Sequence, residues 1–576
     1  MSREIDRRDV ARTLERIAAF MELKGEDPFR IQAFRNGARA VESLTQPIRE
    51  AMDDGTLEGT RGIGPATMRI VHELVETGHA SLLEDLREQV PPGLVEMLAI
   101  SGLGVTKIRQ IHEGLGIDSL PELEAAALDG RLTTLPRFGA KTAGNILKGI
   151  AYVRQANQYR MAHHALEEAR QLQSALEQLD GVREVHVAGD VRRRMELVEE
   201  LVLVVVADVP PADVFKRLAN LPGVDEFAGQ DERVVTLRFA SGSSVQVAVT
   251  TPVNAGAVLL QATGSRAHLD QLADFAKSKG FALHGAALWR GSEFIPTPDE
   301  AALYRALGLA PIPPELREGH GEIEQARNEA LPLLVEEADL KGLLHCHTSA
   351  SDGSTSIEDL AVAARDAGYE YIGITDHGQW GPLGGGLDPA MIERQAAEIE
   401  SVNSRVDGIR VLRGIETDIL VDGTIDDAGG TLESLDFVIA SIHGRFNMTR
   451  DDMTTRMLRA MDNPLLTIIG HPTGRLLLAR NPYPLDHEAI FAKAAETGVA
   501  LEINADPHRL DLDWRLVDRA HACGVRISIG ADAHNLTGID NVAFGIGMAR
   551  KAGLTAGDIL NTLPVNEFLA SARRGR

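Results

Sequence analysis

The chain has 576 residues, a formal net charge of −25, 44% hydrophobic residues and two cysteines. That composition excludes a disordered chain and a disulfide-stapled secreted domain, and the acidity argues against nucleic-acid binding through bulk charge. The length implies several domains with their own cores. The N-terminus is charged and no long apolar span occurs, so the expectation is a cytoplasmic protein with no signal peptide and no membrane helix. Charge is uneven. Residues 1–160 are nearly neutral, and the remainder carries almost all of the negative excess.

Residues 1–90 read as helices, with Val10, Leu14, Ile17, Ala18 and Met21 at helical spacing. Arg61-Gly62-Ile63-Gly64-Pro65 then opens a helix expected to reach Glu76. Gly-hydrophobic-Gly between two helices is a helix-hairpin-helix signature. Its glycines let the backbone approach a DNA phosphate, and N–H groups at the next helix start bind it. One such turn alone is more often a plain connection. Here it recurs at Ser101-Gly102-Leu103-Gly104-Val105 and, with variation, at Leu135-Pro136-Arg137-Phe138-Gly139-Ala140-Lys141-Thr142. Three turns predict sequence-independent DNA binding through Gly62, Gly64, Gly102, Gly104, Lys107, Gly139, Lys141 and Thr142. The expected helical DNA-binding domains are 1–90 and 91–155.

Residues 150–180 are expected as one long helix with Leu166, Leu172, Leu176 and Leu179 on one face. After it, Gly189-Asp190-Val191-Arg192-Arg193 precedes the apolar strand that follows Glu199-Glu200. This segment resembles the palm of family X DNA polymerases, which has Gly-Ser, then Arg-Arg, then two metal-binding aspartates one residue apart, then a third on a later strand. Thr263-Gly264-Ser265-Arg266 is similar to the family's nucleotide-sugar contact. The resemblance implies a nucleotidyltransferase-like palm at 156–250 and a thumb at 251–315. The carboxylate positions depart from the pattern: they fall on Glu200, Val202 and Gln246, and Asp190 replaces the serine. Two-metal nucleotidyl transfer needs carboxylates, so the palm is expected to be a scaffold with a degenerate polymerase site. The family's lyase lysine falls on Ile70, which cannot form a Schiff base.

Residues 316–337 are expected to be a linker. From 338 to the end, apolar strands alternate with helical stretches, and each strand but one ends in a residue that can ligate metal. Leu343–His347 ends in His345-Cys346-His347, whose imidazoles share one side of a strand, with Asp352 able to curl back. The others end at Asp376-His377, Glu416, His443, His471, the neutral Asn504, and Asp532-Ala533-His534. Alternation implies a parallel sheet, and strand-end functional residues imply the top of a closed α/β barrel. A single His-x-His is weak evidence. Nine donors at successive strand ends are not a chance pattern.

In that order they resemble the PHP (polymerase and histidinol phosphatase) domain, a distorted (β/α)7 barrel with three metal ions. The resemblance implies that His345, His347, Glu416 and Asp532 hold one ion. Glu416, as a bridge, holds a second with His443 and His471, and Asp352, His377 and His534 hold a third. Mixed imidazole and carboxylate donors suit Mn2+ or Zn2+, with Fe or Mg2+ as alternatives. The candidate catalytic residues are Glu416 and Asp532, with Arg475 and Arg509 to neutralise a phosphate. Family X chains often carry a PHP domain at the C-terminus, so the two resemblances support each other. The expected multidomain α plus α/β protein is a metal-dependent 3′–5′ exonuclease or phosphodiesterase of the repair type, with 3′-phosphatase and abasic-site endonuclease as related activities. It would act as a monomer on gapped, nicked or 3′-ended DNA. The alternatives are a surviving gap-filling polymerase using Glu200, a non-enzymatic DNA-end binder, and a small-molecule phosphatase.

Overall fold

The computed structural model describes residues 7–42, 48–60, 62–100, 102–221, 224–229, 232–239, 244–379, 386–427 and 429–572. They form two compact units, Met1–Gln158 and Tyr159–Arg576. Among the described residues no helix is long and apolar enough to cross a membrane.

The first unit is helical. Its longer helices include Arg7–Lys24, Pro28–Glu42, Pro65–Thr77, Val105–Leu115 and Ala140–Gln158. Apolar residues at helical spacing, among them Leu14, Ile17, Met21, Ile70, Ile108 and Ile150, bury into one continuous core. The long helix expected across 150–180 is broken. Arg160–Met161 pairs antiparallel with Leu197–Val198, which draws the chain out of the helix. A second helix, Ala162–Glu177, then packs on the palm.

The segment expected as the palm holds a five-stranded sheet with strands in the order Val182–Val187, Leu201–Ala207, Ser244–Thr250, Val234–Phe239, Val224–Gly229. The thumb helices Ala255–Thr263, Arg266–Ser278 and Glu300–Leu307 gather around Leu260, Leu272, Leu288 and Leu303. The stretch expected as a linker contains the helix Glu322–Arg327, whose Ile323 and Ala326 join that thumb core. Glu300 locks palm to thumb. It accepts two hydrogen bonds from Arg192, at 2.9 and 2.6 Å, and more from Arg317, which is 2% exposed. Arg192 also donates to Thr263 Oγ1 at 2.9 Å, and Arg193 to Asp190 and Glu318.

The thumb region also holds a small antiparallel sheet of Ala282–His284, Ala287–Arg290 and Glu293–Ile295, and the strands from Gly342 onwards form one parallel sheet of eight. Its two edges, Arg410–Arg413 and Glu416–Asp418, are halves of one strand interrupted at Gly414-Ile415. Because the edges belong to one strand, the sheet curls on itself as a seven-membered barrel, and a bridge from His377 to Glu416 continues the pairing across the interruption. Leu344, Tyr371, Leu412, Phe437, Ile439, Ile468 and Phe568 pack as one cluster contributed by the strands and the C-terminal helix Val565–Ala572. A larger apolar cluster packs strands against helices. Strand interiors that read as continuous apolar runs are what a parallel sheet buried on both faces requires.

Burial alone would raise the Glu300 carboxyl, but the hydrogen bonds from Arg192 and Arg317 overcome it and hold its pKa down from 4.5 to about 2. A depressed carboxyl stabilises the fold at pH values above its ordinary value, and that contribution is lost as pH falls towards 2. Glu300→Ala leaves two guanidinium groups uncompensated and is predicted to cost roughly 3–5 kcal/mol at neutral pH. Urea unfolding of the parent and variant at pH 7 measures it, and a difference below about 1 kcal/mol, the range of a surface pair, would contradict the clamp.

Candidate metal centre

The strand ends bring the nine histidine and carboxylate side chains into one nest at the barrel top. Glu416 lies at its centre, 2% exposed. Its Oε2 faces His345 Nε2 at 3.4 Å, His347 Nε2 at 3.6 Å and His377 Nδ1 at 3.1 Å. Its Oε1 faces His443 Nε2 at 3.4 Å and His471 Nε2 at 3.0 Å. Asp532 Oδ1 lies 3.3 Å from His347 Nε2 and 3.6 Å from His345 Nε2. Asp352 reaches His377 Nε2 at 3.6 Å and His534 Nε2 at 3.2 Å. Donor atoms converge within 4.8 Å in three groups: His345, His347 and Asp532; His377, Glu416 and His443; and His347, Asp352, His377 and His534. His347 and His377 each belong to two groups, so the ligand sets implied by position overlap in space.

The donor set fits divalent cations. Three histidines have one ring nitrogen engaged by a neighbouring carboxylate or backbone carbonyl and the other facing the nest's carboxylates. His345 Nδ1 is 2.5 Å from Glu502 Oε1, His443 Nδ1 is 3.2 Å from Asp418 Oδ1, and His534 Nδ1 is 2.9 Å from the Asp532 carbonyl. This arrangement fixes the tautomer and presents a lone pair inward. The buried nitrogens His345 Nε2, His347 Nδ1 and Nε2, His377 Nδ1 and His471 Nδ1 have no hydrogen-bond partner. Buried polar atoms are normally satisfied, so their clustering marks a place for a ligand. Burial pushes His347 and His471 down, whereas the surrounding carboxylates outweigh burial and pull His377 up to about 10 and His443 to about 9. His443, His345 and His377 outweigh burial at Glu416, and His345, His347, His534 and Arg509 do so at Asp532, so both carboxyls lie well below the usual range. The nest therefore holds its carboxylates charged and calls for cationic partners.

Local backbone serves this packing. His345, His471 and Asp532 have φ of 61°, 27° and 49°. Such non-glycine outliers are costly and gather at functional sites. Gly353 makes the tight turn that returns Asp352: a Cβ there would lie 2.4 Å from the His347 carbonyl. A Cβ at Gly530 would lie 1.9 Å from Glu502 Oε1, so that glycine opens room for the Glu502–His345 pair. Asp376 ties down the loop by accepting from Thr348 N and Oγ1, each at 2.7 Å.

Sequence reasoning missed Glu502, and it named Asp376 beside His377 without giving it a role. Glu502 shares a strand side with Asn504, so a carboxylate inside an apolar strand was the available signal. Arg509 stands at the edge of the nest, its Nε 3.5 Å from Asp532 Oδ2. Arg475, expected beside the phosphate, is turned away. It donates to Asp513 at 2.8 Å, to the Arg509 carbonyl at 2.9 Å and to the Leu510 carbonyl, which leaves its guanidinium committed to the loop.

In the helical unit, Gly62 and Gly102 adopt φ of 106° and 79°, and Arg137 takes the matching place in the third turn at 69°. Gly64 and Gly104 cap the helices that follow, and Gly139 immediately precedes Ala140–Gln158. A Cβ at Gly64, Gly104 or Gly139 would meet nothing within 4 Å, so these turns face open space. Lys141 is exposed and Thr142 half-buried, while Lys107 Nζ donates to the Gly102 carbonyl at 2.9 Å. Arg61 and Ser101 lie outside the described residues. Ile70, 1% exposed, fills core where a lyase lysine was sought.

The chain is 35% identical over 572 residues, 99% of each sequence, to the DNA polymerase/3′-5′ exonuclease PolX of Bacillus subtilis. The chain belongs to the PolX family. PolX-family architecture is also visible piece by piece. Residues 5–80 match a helix-hairpin-helix domain, 94–151 a SAM-like helix-hairpin-helix tandem, 258–318 the DNA polymerase beta thumb and 344–506 the PHP domain. Probable phosphatases align over a smaller part. One from Thermoanaerobacter sp. is 28% identical over 40% of this chain and 94% of its own, and one from Syntrophotalea carbinolica is 31% identical over 38% and 90%.

The three residues expected at the palm's carboxylate positions lie on or beside two neighbouring strands. Val202 and Gln246 are direct partners on neighbouring parallel strands. Val202 packs with Ala188, Val204, Ala248 and Val258 in a small apolar cluster. Glu200 is half-buried, and burial, with Glu199 and Asp190 nearby, raises its carboxyl.

Glu416→Gln keeps the shape of the central side chain and removes its charge. It is predicted to lower phosphoester hydrolysis by at least about 100-fold, the upper end of what losing an outer partner alone costs, with DNA affinity unchanged. Steady-state hydrolysis and a DNA titration of the same preparation check it. Activity within tenfold of the parent would remove Glu416 from the centre of the chemistry.

Proposed function

We propose that the barrel is the catalytic domain of a metal-dependent phosphodiesterase that removes nucleotides or a terminal phosphate from DNA 3′ ends, and that the palm has lost nucleotidyl transfer. The observation carrying the first half is the buried nest itself: eight convergent donor residues around Glu416, with the unpartnered His345 Nε2, His347 Nε2 and His377 Nδ1 facing its carboxylate. In this reading the nest holds three divalent ions, Mn2+ or Zn2+ by donor type. Ions held this way polarise a phosphoryl oxygen and lower the pKa of a bound water. Glu416, whose two oxygens face imidazoles on either side, would serve as a shared ligand, with Asp532 and Asp352 supplying the carboxylates at the two flanks of the nest. Arg509 neutralises the phosphate that enters at the nest's edge. Glu502, Asp418 and the Asp532 carbonyl orient His345, His443 and His534. The three hairpin turns deliver the end by gripping backbone phosphates, which look alike at every base pair.

The second half rests on Val202 and Gln246. A valine in an apolar cluster supplies no ligand, and a facing glutamine no charge. The two arginines that follow Gly189 are moreover engaged by Glu300, Glu318 and Asp190. The B. subtilis relative is named for both activities, and this proposal assigns only the hydrolytic one to this chain.

Incubation with 3′-recessed DNA and Mn2+, with and without dNTPs, separates the readings. Shortening without extension is expected. Primer extension abolished by Glu200→Ala would overturn the assignment of the palm. A mobility shift with no change in strand length would leave a DNA-end binder. Lys107→Gln and Lys141→Gln are each predicted to weaken DNA binding alike for all sequences and to lower the salt slope of affinity by about one per lost phosphate contact. An unchanged slope in both would place binding elsewhere.

A further inference from the structure

The palm touches the barrel at the loop that carries Arg509. Glu196, in the turn before the Leu197–Val198 strand, is 6% exposed. Its Oε1 accepts from Arg515 Nη1 at 2.9 Å and lies 3.8 Å from Arg475 Nη1. Both arginines converge on Asp513, at 2.9 and 2.8 Å. Arg475 in turn holds the carbonyls of Arg509 and Leu510. A palm carboxylate is thus two links from the guanidinium beside Asp532.

The loop needs such support. Leu510 is held at φ 42°, a conformation that persists only when surroundings over-determine it. Leu510 shares a small apolar pocket with Ala162, Val191 and Met195 of the palm and Phe544 of the barrel. On the far side the His163 ring lies 5.0 Å from that of His508. The loop also reaches the nest a second way: Asp511 accepts from Thr473 N at 3.0 Å and Thr473 Oγ1 at 2.8 Å, two residues past His471. Meanwhile Glu196 Oε2 is buried with no hydrogen-bond partner. An unsatisfied carboxylate oxygen costs stability, so Glu196 is a poor choice for holding domains together and a better one for placing two arginines.

We propose that Glu196 is a positioning residue for hydrolysis in the barrel, acting through Arg475 and Arg515 to set the loop that presents Arg509. The palm, without its own chemistry, then persists as part of the barrel's active site. This inference rests on the phosphodiesterase reading of the barrel.

The test uses the full chain and a small aryl phosphodiester, bis(4-nitrophenyl) phosphate, with Mn2+, so that the DNA-binding turns play no part. Glu196→Gln is close to isosteric. It is expected to lower kcat by about 10- to 100-fold, with the unfolding midpoint, bound manganese and DNA affinity as in the parent. Glu196→Asp, which keeps the charge, is expected to recover most of the loss. Arg515→Gln should lower kcat similarly, and the double variant should lose little more than either single one. A folded Glu196→Gln with kcat within twofold of the parent overturns the proposal. So does a loss matched by a fall in unfolding midpoint or metal content, which would make Glu196 merely structural. A parent that hydrolyses neither the aryl diester nor DNA removes the phosphodiesterase reading, and this inference with it.

Discussion

The barrel is organised by the meeting of Glu416 with five imidazoles. Charges cannot be left isolated in a protein interior, and a buried carboxylate holds its charge only beside a partner. Here the partners come from four different strand ends, His345 and His347 sharing one, so each strand must stop at the right level and in the right register. The interrupted third strand shows the cost. It breaks at Gly414-Ile415, so that Arg410–Arg413 pairs on one side and Glu416–Asp418 on the other, with Glu416 directed inward where the sheet closes. The positive φ values at His345, His471 and Asp532 are further distortions of the same origin. A structure whose only purpose was stability would not concentrate this strain in one place.

Much of this was legible because a strand-end ligand leaves a regular trace: an apolar run, then one histidine or acid, repeated along the chain. Helix-hairpin turns leave a comparable trace in their glycines, and the third is recognisable even though Arg137 takes the left-handed place. What the sequence concealed has a common cause. Glu502 lies inside an apolar run rather than at its end, and nothing local says that Gly530 has made room for it. Arg475 looked like a phosphate ligand because its acceptors are backbone carbonyls and Asp513, distant in sequence. The break at Tyr159 depends on a partner strand at Leu197–Val198, which helical periodicity cannot foresee, and the helix at Glu322–Arg327 joins a thumb core that its acidic composition did not suggest.

The palm shows the converse: residue identity speaks where periodicity is silent. Positions 202 and 246, where the resemblance expects carboxylates, are partners on neighbouring parallel strands, and the side chains there are valine and glutamine. Nearby arginines are closed into carboxylate clamps that join palm to thumb. On the reading proposed for the palm, its fold is kept without nucleotidyl transfer because it supports another site, and the contact of Glu196 with the loop that carries Arg509 gives a physical reason for that retention.

The central claim is that the buried donors around Glu416 exist to hold metal. Anomalous diffraction from crystals of manganese-loaded protein, with elemental analysis of the same preparation, tests it most directly. The account predicts three ions per chain within the nest, two of them sharing Glu416. An empty nest after loading, or a single ion that leaves Glu416 unligated, would contradict it.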